Sequence, residues 1–497
     1  TIDTAWIYTV TMQHLCALTG GTSNDEHWRT DPDQLAAELG DHTQETCCTY
    51  NLLKLTRHLF SWEPRAEYMD YYEGALVNSI LSTQDPKTGM MMYFVPLATG
   101  RWKTYNRPTD CFWCCTGTGL ENHAKYGDTI YYHDGDGVFV NLFIASELNW
   151  REAGVRIRQE TQWPDVSTTS LTIRADQPKE FSLRVRVPAW ATRGVAVKLN
   201  DKPLSVEAEP GSYMTIRRTW SDGDRLDVAM PMSLRVAPMP DDKNLVAFLY
   251  GPLVLAGKLG GDGLTDDVVY LKDQWYQFPK DRLAEAPVLL ADSDDFATCV
   301  EKVSDNPPTF RTVGLEQNVT LVPYHELFGQ RYAVYWRAFR KGGPEQAAYL
   351  AEEEVRRDLK LRTVDEVAIG DPRSERAHAM KGERMASGLH FGRAWRHAGD
   401  GGWFSYTLKI LSDTPQELRI GFWGSDAGGR EFDILVDDVK LASLKLENNR
   451  PGVFYDETYP LSQELLANKK TVTVKFQARP GMIAGGIYGC AILKTAK

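Results

Sequence analysis

Apolar positions recur at helical spacing through the first part of the chain and alternate with polar ones after it, which predicts helices followed by strands. Ile2, Trp6, Ile7, Val10 and Leu15 form one helical face. Leu52, Leu53, Leu55, Leu59 and Phe60 form a second, and Tyr68, Tyr71, Tyr72, Ala75, Leu76 and Ile80 a third. Asp41 is a candidate N-cap ahead of the second helix, with Gln44 three residues on. Pro64 suits the first turn of the third, and Asp85-Pro86 with Gly89 closes it. A further helix is predicted from near Leu120, after the turn-like run Thr116-Gly117-Thr118-Gly119.

From about residue 137 the period becomes two, as in Val138–Phe143 and Phe181–Val187, with turn signals at Asn200-Asp201, Pro210-Gly211 and Asp222–Asp224. That spacing predicts an antiparallel sandwich. Residues 257–345 are less regular, with one clear strand at Tyr332–Trp336, and Glu345–Arg362 is so charged that a solvated helix or linker is expected. Alternation returns at Trp403–Leu408, Phe432–Val436 and Thr471–Phe476, predicting a second sandwich. The expected domains are 1–136, 137–256, 257–362 and 363–497. The fold class is thus multidomain, α then β.

Composition narrows the partners. The net charge of -11 comes with no basic stripe, which argues against nucleic acid. No apolar run approaches the ~18 residues of a membrane span. Aromatics are plentiful, at 14 Trp and 22 Tyr, and suit sugar stacking as well as cores. In the second sandwich Trp403, Tyr406 and Trp423 are candidates for either, with core favoured.

Five of the eight cysteines fall in two short segments, Glu45-Thr46-Cys47-Cys48 and Cys111-Phe112-Trp113-Cys114-Cys115. Adjacent cysteines bridge each other only with strain but can share one metal, so Glu45, Cys47, Cys114 and Cys115 make a four-ligand zinc set. Buried free thiols and a purely structural zinc are the alternatives, and a thiol-redox centre is a more distant one because no C-x-x-C lies in a thioredoxin-like setting. Glu26 follows the pair Gly20-Gly21 and could act as a general acid if burial raised its pKa. Glu73 lies on an otherwise apolar helix and needs a partner, and Tyr93 precedes Phe94-Val95-Pro96-Leu97.

In order along the chain, these motifs resemble glycoside hydrolase family 127 and its close relative family 146, the β-L-arabinofuranosidases. The motifs are Gly20-Gly21…Glu26, Glu45-Thr46-Cys47…Tyr50-Asn51, Tyr72-Glu73-x-Ala75-Leu76-x-Asn78, Tyr93-Phe94-x-Pro96-Leu97 and Phe112–Asn122. Arg186–Trp190 and Tyr250–Val254 resemble the sandwich that follows the barrel there. The resemblance implies part of an (α/α)6 barrel followed by antiparallel β-sandwich domains. It also implies retaining release of L-arabinofuranose, with Cys114 as nucleophile and Glu26 as acid/base. Glu45, Cys47, Cys114 and Cys115 would bind zinc, while Glu73 and Tyr93 would contact the sugar. The expected partner is an arabinose-containing plant glycan, and the added sandwich makes a homodimer an expectation. Such a barrel needs about twelve helices, more than this chain provides before its strands begin, so an incomplete pocket is expected. The rival reading is a non-catalytic, zinc-stabilised carbohydrate-binding or structural module.

Overall fold

The change of period along the chain becomes a change from helices to sheets. In the computed structural model the chain is described at residues 11, 14–28, 30–390 and 393–496, and the helical face at Ile2–Val10 lies outside them. Two units are present, Thr1–Gln346 and Ala347–Lys497.

In the first unit, α1 (Thr46–Trp62) buries Tyr50, Leu53, Leu59 and Phe60 against α2 (Ala66–Ala75), which offers Tyr68, Met69, Tyr72 and Ala75. These are the apolar stripes that the spacing predicts. The caps differ from the prediction. Glu45 is the N-cap of α1, whereas Asp41 pairs with Arg101, because the backbone N–H of Thr46 is already taken by the Tyr93 carbonyl at 3.1 Å. Pro64 stands just outside α2, whose N-cap is Arg65. The largest local difference is α3 (Cys114–His123), which starts six residues before the predicted Leu120. Its glycines lie inside the helix, where Gly119 is buried and a Cβ would meet Met91 Cγ at 2.7 Å.

A sandwich of a six-stranded and a four-stranded sheet follows. Its core takes every second residue of adjacent strands, such as Val155 and Ile157, Leu171 and Ile173, and Leu183, Val185 and Val187. Arg186 points to the other side and is fully buried. Its Nη2 ion-pairs with Glu73 at 2.8 Å, its Nη1 with Asp70, and its Nε donates to the Asn141 carbonyl at 2.7 Å. A buried arginine needs such partners, and these tie α2 to the sandwich.

A ten-stranded sheet completes the unit, and it corrects the irregular reading of residues 257–345. Leu245–Tyr250 and Leu253–Lys258 pair with Tyr335–Arg340, Thr320–Pro323 and Arg331–Ala333, so the break expected at 256/257 falls within one sheet. Strands of three to six residues with long connections hid this pattern. The helical region is stitched to it twice: Arg101–Trp102 pairs with Tyr332 and Arg331, and Tyr105–Asn106 with Tyr270–Leu271.

The unit boundary falls within a helix, Pro344–Arg362, that buries no residue. In the second unit nine strands surround a core of Phe404, Tyr406, Ile420, Phe422, Phe432, Ile434, Val474 and Phe476. The 17-residue strand Arg393–Lys409 pairs with Ala484–Lys494 near its start and with Thr471–Ala478 near its end. Tyr406 is core, donating to Glu375 at 2.9 Å, and Glu375 also takes a two-pronged contact from Arg396 at 2.6 and 2.7 Å. The three candidate platform aromatics therefore separate. Trp403 carries Lys475 over its ring, and Trp423 packs on Phe454.

Candidate active site

Three backbone segments are laced together before any side chain is considered. Asn24 bridges to His27 and to Thr43, Gln44 N donates to the Ser23 carbonyl at 2.8 Å, and Glu45 bridges to Phe94. These links hold Glu26, Glu45 and Tyr93 side by side. The glycine pair permits the close approach: Gly20 has φ +84°, and a Cβ there would lie 2.6 Å from Ala75 Cα. Only glycine fits a left-handed residue pressed on a helix backbone. Ser23, Asp25 and Glu26 also have positive φ, at 79°, 48° and 63°. Non-glycine residues in that region cost energy and gather at functional sites.

Glu45, Cys47, Cys114 and Cys115 converge here, their ligand atoms all within 4.8 Å of one another. Cys115 Sγ lies 3.1 Å from Cys47 Sγ, 3.8 Å from Cys114 Sγ and 3.6 Å from Glu45 Oε1. Cys114 Sγ lies 3.8 Å from the same carboxylate oxygen. The early start of α3 brings this about, since it places both cysteines in the first helical turn, opposite the first turn of α1 that carries Cys47. Helix N-termini favour anionic side chains. Such a cluster could hold a metal ion.

The thiols are not equivalent. Cys47 accepts from Cys115, which draws its pKa down to about 7, and Thr118 Oγ1 lies 3.1 Å from its sulfur. Cys115 is correspondingly raised, by donating that hydrogen bond and by burial. Burial raises Cys114 as well. Cys48 donates to Glu45 Oε2 at 3.2 Å and is pushed up to about 12 by burial and by that carboxylate. It orients the carboxylate from outside the cluster.

Tyr93 joins the cluster to Glu26. Its hydroxyl donates to Glu26 and lies 3.4 Å from Cys114 Sγ. Cys114 Sγ and Glu26 Oε1 therefore both touch one phenolic oxygen and stand no more than about 6 Å apart. Cys114 and Glu26 are exposed, while Cys47, Cys115 and Tyr93 are buried. Trp28 and Phe112, next but one to Glu26 and Cys114, are 57% and 87% exposed.

Glu73 is not among these residues. It is 1% exposed and committed to Arg186 and to the Trp190 indole, which donates at 2.8 Å. Cys111 is apart too, accepting from Arg107 N at 3.2 Å. Sequence reading passed over Thr118, Cys48 and the pair His42–Asp25 at 2.7 Å, whose imidazole packs against Phe94 and Trp275. Trp275 belongs to the stretch that had no strand pattern to mark it.

Comparison with known proteins agrees with this layout. Residues 3–128 match the family model described as β-L-arabinofuranosidase, GH127 catalytic domain, and residues 137–232 the GH127 middle domain. Residues 235–338 match a domain of unknown function, and 358–493 a family of unknown function (DUF6805). No curated protein matches the chain. Among solved structures, a GH127 β-L-arabinofuranosidase from Geobacillus stearothermophilus T6 is similar at TM-score 0.52 and 20% identity, over 67% of this chain and 56% of that one. Another, titled as a glycoside hydrolase, is similar at TM-score 0.51 and 19% identity, over 67% of this chain and 61% of that one. The chain thus spans little more than half the length of these proteins, which share its order of helices and then β domains.

Proposed function

Since residues 3–128 and 137–232 belong to the GH127 catalytic- and middle-domain families, we propose that this chain carries the reactive centre of a retaining glycosidase that releases L-arabinofuranose from β-L-arabinofuranosides. The observation that carries the reading is the single phenolic oxygen of Tyr93 between Glu26 and Cys114.

Zinc suits the cluster. Around a tetrahedral zinc, sulfurs stand about 3.8 Å apart and a sulfur and a carboxylate oxygen about 3.5 Å. Cys114–Cys115 at 3.8 Å and Cys115–Glu45 at 3.6 Å match these edges, Cys114–Glu45 at 3.8 Å would close by about 0.3 Å, and Cys47–Cys115 at 3.1 Å would open by about 0.7 Å. Glu45, Cys47, Cys114 and Cys115 would be its ligands. When bound, zinc would hold the thiols as thiolates and make sulfur a better leaving group.

In the first step Cys114 Sγ attacks the anomeric carbon, forming a C–S bond as the glycosidic C–O bond breaks, and the Glu26 carboxyl gives its proton to the departing oxygen. In the second, the Glu26 carboxylate takes a proton from water, whose oxygen bonds to the anomeric carbon as the C–S bond breaks. Tyr93 keeps Glu26 beside the sulfur and gives a hydroxyl that the sugar can reach. Glu73, expected from the resemblance to touch the sugar, instead has a scaffold role in this reading. An arabinose-containing plant glycan is the natural substrate class.

The test is release of p-nitrophenol from p-nitrophenyl β-L-arabinofuranoside by the chain, with Cys114→Ser and Glu26→Gln as controls. Release abolished by Cys114→Ser, and cut by Glu26→Gln to a burst of about one equivalent because hydrolysis of the glycosyl-enzyme is blocked, is the expected result. Release that survives in Cys114→Ser would refute a sulfur nucleophile.

A further inference from the structure

The second unit holds a polar pocket that plays no part in this chemistry. It opens on the outward face of strands Gln416–Trp423, Phe454–Leu461 and Ala484–Lys494. Its floor is lowered by small residues in register: Gly421 pairs with Gly489 on one side and with Asp456 on the other, and Arg419 pairs with Ala491. Even-numbered neighbours Leu418, Ile420 and Phe422 point into the core, which fixes the odd-numbered residues outward.

The walls differ in character. At one end, aromatic rings cluster: Phe454 lies 4.6 Å from Trp423, tilted, and 4.9 Å from Tyr488, edge to face, with the Arg393 guanidinium 4.3 Å from its ring centre. At the other, Arg419 donates to Asp456 at 2.6 Å, and Glu366 stands opposite Ala491 on the neighbouring strand. Two guanidiniums, which only donate, and two carboxylates, which only accept, thus line the pocket.

A sugar ring matches this arrangement. It has an apolar C–H face for an aromatic wall, and each hydroxyl is both donor and acceptor. The lining charges balance, which favours a neutral ring over a carboxylated or phosphorylated one. A protein partner would need an interface of about 1,000 Å² or more, far beyond such a pocket. We propose that the pocket floored by Gly421 and Gly489 and walled by Arg393, Phe454, Asp456 and Arg419 binds a neutral glycosyl residue of a polysaccharide. It lies in a different unit from the cysteine cluster and stands independently of the reading given to that cluster. The unit would then hold the chain on its polymer.

The test is affinity electrophoresis of the whole chain through native gels containing soluble arabinan, arabinoxylan, arabinogalactan or xyloglucan. Retardation by at least one is expected, unchanged in Cys114→Ser and in Trp403→Ala, which lies outside the pocket. Phe454→Ala should weaken it about ten-fold or more, as removing a buried anchor does. Gly489→Leu should abolish it with the sheet intact, because a Cβ there meets its nearest atoms at an ordinary 3.6 Å and the rest of the side chain fills the floor. Free migration of the wild-type chain in all four gels would overturn the proposal. So would retardation that both pocket variants keep.

Discussion

Glu73→Ala separates two roles for one carboxylate. If Glu73 contacts sugar, its loss raises KM and leaves the fold alone. In the structure it is 1% exposed, ion-paired to Arg186 at 2.8 Å and bonded to Trp190 at 2.8 Å. Removing one partner of a buried ion pair costs about 3–5 kcal/mol. Asp70 would still face Arg186, so the low end applies, and the lost indole bond adds about 1 kcal/mol. The sum is about 4 kcal/mol. With an unfolding entropy of about 2.1 cal/mol/K per residue over the unit Thr1–Gln346, melting of that unit should fall by about 5 °C. Differential scanning calorimetry measures this directly, and Glu73→Gln, which keeps the shape and one acceptor, should lose less. An unchanged melting temperature with a raised KM would refute the scaffold role.

Other outcomes follow from the same structure. Purified with zinc present, the chain should hold about one zinc ion, and Cys115→Ser should remove most of it, as elemental analysis by mass spectrometry would show. Gly20→Ala should destabilise the first unit by about 2–4 kcal/mol in urea, combining a left-handed alanine with crowding on Ala75. In the second unit, burial tends to raise the Glu375 pKa, but Arg396, the Gly370 N–H and Tyr406 outweigh it and hold it below the ordinary value. The unfolded chain therefore binds the proton more readily. The stabilisation is full above the ordinary glutamate value of about 4.3 and is lost as pH falls through the folded one. Glu375→Gln should flatten that acid limb in melting curves taken between neutral and acid pH.

How much of this was legible depended on what kind of signal carried it. The stripes of α1 and α2 and the alternating strands of the first sandwich were readable because one face of each is buried and the other wet. The four-residue cluster was readable because cysteine is rare in the chain and its chemistry is specific. The start of α3 was not, since Thr116-Gly117-Thr118-Gly119 has the composition of a turn, and only packing on Met91 makes the glycines helical. That Glu73, an acid on an otherwise apolar helix, needs a partner was legible, but which partner was not, and its sugar contact was only what the resemblance implied. Its partners, Arg186 and Trp190, come from a strand and turn more than a hundred residues away. The sheet spanning 234–340 escaped for a similar reason: its strands are short and pair across long gaps, so periodicity had little to act on.

The central claim is that Cys114 forms the bond to sugar. It is tested most directly by rapid acid quench of the chain during turnover of p-nitrophenyl β-L-arabinofuranoside, followed by peptide mass spectrometry. The account predicts one pentosyl unit on the peptide containing Cys114, absent in Cys114→Ser and present at higher occupancy in Glu26→Gln with this good leaving group. Turnover with no sugar on that peptide, or with the sugar on a carboxylate, would contradict it.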